Sequence, residues 1–107
     1  MPSEASALAI AAATGMLRDV ECARSATYYA AWATDADHDA LPMAAAMAKA
    51  EASEGILHTA REAIQVHGGV GFTWEHDCQL LLKRAHLDSV LLGSAAAHYD
   101  RVARLVV

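Results

Sequence analysis

AIQVHGGVGFTWE, residues 63–75, places three glycines in four positions, Gly68, Gly69 and Gly71, between two stretches of helical spacing. A long helical pattern runs into His67 and another opens near Thr73, so this segment sets where the chain turns back. Glycine supplies positive φ at a helix end and allows backbone to approach a ligand closely. Thr73 is placed to N-cap the next helix, and amides exposed beside the turn then form a cradle for phosphate or another anion. Two readings are open: a bare helix–helix corner or an anion-binding turn. Because helix C-caps so commonly use glycine, the segment alone favours the corner. It is not a P-loop, since no Lys-Ser/Thr follows, and not a dinucleotide fingerprint, since no strand precedes it.

Working outward, the pattern from about Ser3 to Thr34 is helical, with Met16, Val20, Ala23, Thr27 and Ala30 on one face. Arg18, Asp19, Glu21 and Arg24 fall mainly on the other side, and Gly15 weakens the pattern locally. Tyr28, Tyr29 and Trp32 read as packing aromatics that also suit an interface. DADHD, residues 35–39, is a polar loop whose spacing fits neither a zinc site nor a calcium loop. Asp39 is the expected N-cap of a second helix from about Ala40 to His67, with Pro42 tolerated in its first turn. Along it, Ala45, Ala48, Ala52, Ile56, Ala60, Ala63 and His67 trace a stripe of mostly small residues that predicts a close antiparallel fit against the first helix. A third helix is expected from about Trp74 to His86, with Leu80, Leu81 and Leu82 as its buried side. Gly93 interrupts the pattern, and Ser94 caps a last helix through Tyr99 to about Val107. No segment alternates like a half-buried strand. The predicted fold is all-α, a four-helix up-down bundle forming one domain over residues 1–107.

Apolar residues make up 55 % of the 107, but only 6 % are aromatic and much of the remainder is alanine. Alanine favours helix and close approach yet buries little area per residue, so stability is expected to depend on partner surfaces. The formal net charge of −5 argues against nonspecific nucleic-acid binding and against adsorption to anionic membranes. Cys22 and Cys78 form no CxxC pair, no secretory leader is convincing, and no apolar run is long enough to span a bilayer. A reducing, cytoplasmic setting is the expectation. The six histidines contain no HExxH and no i, i+4 pair, which gives no metal site. Ser94, His98 and Asp100 are neighbours on one short helix without a strand–elbow context, so they do not make a hydrolase triad.

With Gln65, Gly68, Gly69, Gly71 and Phe72 in view, the segment resembles the Q-x-x-G-G-x-G-[FY] pattern near the carboxyl end of the acyl-CoA dehydrogenase family. Glu75 matches a glutamate common shortly afterwards, and Lys83, Arg84 and Ala85 loosely match a later Arg-Asp-Ala segment. Upstream, VECARSATYYAAW and AAAMAKAEAS resemble two of the family's helices, so the likeness covers most of the chain. The resemblance implies a helical domain of an FAD-dependent dehydrogenase that builds an oligomer core. It implies that Gln65, Gly68 and Gly69 reach the pyrophosphate and adenosine portion of a neighbouring subunit's FAD. That agrees with the anion-cradle reading and favours it over the corner. Ser94 stands where the family usually has a threonine near the flavin.

The departures are as informative. The family's usual base is the glutamate of an E-G-T segment, matched here by Leu92, Gly93 and Ser94; a leucine cannot take a proton. Ala96 stands where a glutamine is frequent. TWEHD, residues 73–77, is similar to a branch of heteromeric enzymes of sterol side-chain breakdown, in which one subunit lacks the base. The family's amino-terminal helical domain, its middle β domain and the first helix of its C-terminal domain have no counterpart in these residues. The expected function is a C-terminal module for α,β-dehydrogenation of acyl-CoA thioesters, supplying oligomer interface and part of a shared FAD site, with no catalytic residue of its own. The acyl-CoA itself is expected to bind only through a partner. The alternative is a helical assembly subunit that binds no flavin.

Overall fold

The computed structural model describes residues 3–67 and 72–106 and, within them, the side chains of all but Ala5, His67 and residues 72–76. Every regular element among them is an α-helix, in four segments: α1 (Glu4–Ala36), α2 (Leu41–His67), α3 (Phe72–Val90) and α4 (Ala95–Val106). The all-α, four-helix expectation holds.

Local chemistry explains most of the boundaries. Ser3 caps α1, its Oγ accepting from the Ser6 amide at 3.1 Å. Gly15 does not interrupt α1, because long alanine-rich flanks carry the helix through it. At the α1–α2 turn Asp37, not Asp39, supplies the acceptor: its Oδ1 takes the Ala40 amide at 3.3 Å. The Ala40 carbonyl already receives the Ala44 amide at 3.0 Å, so Ala40 occupies the position expected of Asp39. α3 includes Phe72 and Thr73, which makes Thr73 a first-turn residue and not the cap. It also runs four residues past His86, since Leu87–Val90 contains no breaker before Gly93. Ser94 caps α4 as expected, accepting from the Ala97 amide at 3.2 Å.

α2 is the hub on which α1, α3 and α4 each pack. α1 lies antiparallel to it, with Gly15 beside His58 and Gly55 against the Asp19 backbone. α3 is also antiparallel, tied near its carboxyl end by Lys49, whose Nζ donates to the Asp88 carbonyl and to Ser53 Oγ, both at 2.7 Å. α4 lies over the amino-terminal half of α2, from the level of Glu54, which meets Tyr99, to that of Met43 and Met47 beside Leu105.

The core is made of small side chains. Ala33, Ala44, Ala46, Ala50, Ala60, Cys78 and Ala85 are buried, and no large side chain among the described residues is fully buried. Several expected faces shift as a consequence. Leu80 and Leu81 are more than half exposed, because α3 packs mainly on α2 and, among its described residues, buries the narrow line of Cys78 and Ala85. Val20 and Ile56 are exposed, whereas Asp19, expected outside, faces α2. Tyr28, Tyr29 and Trp32 do not enter the core; Tyr29 and Trp32 stack on each other at 5.9 Å.

Candidate functional site: the groove between α1 and α2

Gly68 and Gly69 lie outside the described residues, so the site is built from the helices that lead to the turn. Gln65 stands on the last turns of α2 and lines a groove of about 1060 Å³ between that helix and the amino-terminal half of α1. One part of the groove is apolar, with Leu8, Ala11, Ala12 and Val66. The other is polar, with Arg18, His58, Glu62 and Gln65. The α1 wall is low because Ala9, Ala11, Ala12 and Gly15 are small, which leaves open space that larger side chains would fill.

A cross-helix cluster fixes the groove's polar end. His58 Nδ1 is hydrogen-bonded to Asp19 Oδ2, joining α2 to α1, while Nε2 faces Glu62 Oε1 at 3.6 Å. The imidazole is thereby held between two carboxylates, and both carboxylates are occupied by it. His58 and Gln65 are separated by two turns of α2, about 10 Å along the axis. The sequence reading did not single out this cluster. Its signal was the i, i+4 pair His58 and Glu62, together with an aspartate at a position where helical spacing leaves the assignment of face ambiguous.

The other two positions named from the sequence sit elsewhere. Ser94 is the exposed cap of α4. The nearest tie from α4 to α2 is Tyr99 with Glu51 and Glu54, and Gln65 lies about 16 Å farther along α2. Ser94, five residues before Tyr99, is not among the residues that line the groove with Gln65. Leu92 is 90 % exposed and has a left-handed backbone, φ 60°, followed by Gly93 at φ 101°. His98 Nε2 donates to the Leu92 carbonyl at 2.7 Å and Asp100 pairs with Arg104, so Ser94, His98 and Asp100 form no relay.

The chain is 50 % identical over 60 residues to the acyl-CoA dehydrogenase IpdE2 of Mycobacterium tuberculosis, covering 56 % of this chain and 19 % of that protein. It is 41 % identical over 73 residues to the acyl-CoA dehydrogenase FadE34 of the same organism, covering 68 % and 10 %. It is 30 % identical over 86 residues to the (R)-benzylsuccinyl-CoA dehydrogenase of Thauera aromatica, covering 80 % and 21 %. The matched part is thus about a fifth or less of each relative's length. No solved structure matches. Residues 8–107 match the model of the acyl-CoA dehydrogenase C-terminal domain, and the chain belongs to that family.

Proposed function

We propose that this chain is the C-terminal module of an acyl-CoA-dehydrogenase-type flavoprotein, providing oligomer interface and part of a neighbouring subunit's FAD site. The observation that carries the flavin part is the groove: Gln65, matched to the family's glutamine, lines an open cleft large enough for a nucleotide-sized ligand and walled by both polar and apolar groups. Bound in an assembled enzyme, FAD would supply the hydride acceptor for the β position of the thioester. This chain's residues bind and position. The Gln65 amide offers donor and acceptor to a polar ligand edge, and Gly68 and Gly69 offer backbone without a Cβ. Leu92 has no proton-accepting atom, so the base that takes the α proton comes from another part of the assembly. A sterol or fatty acyl thioester is the substrate class that this reading carries.

A second reading, assembly without flavin, draws on a different observation: the small-residue core and the many exposed large apolar side chains already call for partner surface. Equilibrium dialysis against FAD of the complex that the chain forms with acyl-CoA dehydrogenase subunits separates the two. Saturable binding is expected, weakened about fivefold by Gln65→Ala, the loss of one polar contact of about 1 kcal/mol. Gly69→Ala is expected to weaken it further through its Cβ, while His38→Ala leaves it unchanged. Absence of any binding up to about 100 µM FAD, a range that would still detect weak sites, leaves assembly as the function.

A further inference from the structure

The groove holds a cation that neither the family match nor the glycine turn accounts for. Arg18 lines it from α1, opposite the α2 residues His58, Glu62 and Gln65. Among the described residues Arg24, Arg84 and Arg104 each have a carboxylate within ion-pair distance, at 3.4, 2.9 and 2.8 Å; Arg18, Arg61 and Arg101 have none, and of these three Arg18 lines the groove. The two carboxylates near it, Asp19 and Glu62, are turned to His58. The Thr14 hydroxyl is also engaged, donating to the Ile10 carbonyl at 2.9 Å. What the groove leaves available to a ligand is one guanidinium, one amide and an apolar floor of Leu8, Ala11, Ala12 and Val66.

We propose that Arg18 pairs with the phosphate-bearing portion of the FAD whose polar edge meets Gln65; this rests on the flavin reading above. A guanidinium is permanently charged and presents donors in a planar fork that matches phosphate oxygens. The chain carries a net charge of −5, so a dianionic pyrophosphate approaching it is repelled overall and needs local compensation. Arg18 is the groove's one uncommitted source of it. The apolar floor suits a flat ring, and the guanidinium suits the charged end.

The test is equilibrium dialysis of the chain, assembled with the acyl-CoA dehydrogenase subunits that complete the site, against FAD, with ADP and riboflavin as partial probes, at low and high salt. For Arg18→Ala the expected result is a loss of FAD and ADP affinity on the order of tenfold, the size of a charge-assisted contact. The salt dependence of both should flatten, and riboflavin binding should stay as in the wild type. Arg18→Lys should restore part of the affinity. Gln65→Ala should lower affinity while keeping the salt dependence. An Arg18→Ala protein that keeps wild-type FAD affinity, or loses riboflavin equally, overturns the assignment. If Gln65→Ala still weakens binding in that case, the flavin reading stands and only Arg18 is removed from the site. A wild-type assembly that binds no FAD removes both. Circular dichroism confirms that each variant is folded.

Discussion

Among the described residues, Leu92 is the non-glycine position with a strained backbone. An L-residue with a γ-branched side chain at φ 60° costs about 1–2 kcal/mol relative to ordinary backbone. It is retained here by two neighbours. Gly93 supplies the next positive φ, and His98 closes the elbow onto the Leu92 carbonyl. A Cβ at position 93 would stand 2.8 Å from His98 Nε2 and displace that ring. Leu92→Gly should therefore raise stability by up to about 1 kcal/mol, the strain relieved less the extra freedom that glycine gives the unfolded chain. Gly93→Ala should lower it by about 1–3 kcal/mol. Urea denaturation midpoints at constant slope read both, and a Leu92→Gly protein less stable than wild type would show the elbow to be unstrained. The sequence reading found this spot through Gly93 and through the missing base at Leu92. It did not find the left-handed leucine, because φ at a non-glycine residue is set by contacts six residues away at His98 and not by the residue itself.

Between elements, polar ties do what apolar packing usually does. α4 is attached to α2 through Tyr99, whose hydroxyl donates to Glu54 at 3.1 Å and meets Glu51 at 3.4 Å. Partial burial, then the Glu54 hydrogen bond and the two carboxylate charges, push the phenol from its ordinary 10.0 up to about 12. The neutral phenol is thus favoured in the fold. Its contribution is complete below the unfolded value near pH 10 and is lost as pH rises from there through about 12. Stability should fall over that window in the wild type, and the fall should be shallower in Tyr99→Phe. Thermal midpoints measured on either side of it decide the matter, and equal slopes for the two proteins would detach Tyr99 from the effect. Helix number, helix order and the Ser94 cap were legible because periodicity and cap chemistry are local signals. The faces were not: α2 has three neighbours and α3 packs mainly on α2, so Leu80 and Leu81 lie outside while Asp19 lies against α2. For the candidate site, Gln65 was named through the family resemblance, and its place in the groove came only with the packing of α1 on α2. Arg18 and His58 were not legible, since only the antiparallel register of α1 on α2 puts them in the same groove.

At the scale of the whole molecule, the chain is open. Its radius of gyration is 16.5 Å, against about 13 Å for a compact domain of this length. Its accessible surface is 7466 Å², against about 5,700 Å² from the scaling for monomeric proteins of its mass. The excess, roughly 1,700 Å², is about the area that two standard interfaces take from one partner. It is apolar in the places that matter: Leu8, Leu17, Tyr28 and Trp32 along α1, and Leu81, Leu87 and Val90 along α3, are each more than half exposed. Such faces are costly in water, and the alanine core behind them buries too little area to offset that cost alone. The chain by itself should therefore associate. Sedimentation velocity at tens of micromolar, where interfaces of micromolar affinity are populated, should show dimers or larger species, and dilution should lower the thermal midpoint, because the folded form is linked to the assembled one. Trp32→Lys, which puts a charge into the α1 surface without touching the core, should shift the distribution towards monomer and lower the midpoint further. A strictly monomeric chain with a cooperative, concentration-independent melt would mean that four helices around an alanine-lined α2 are stable without a partner.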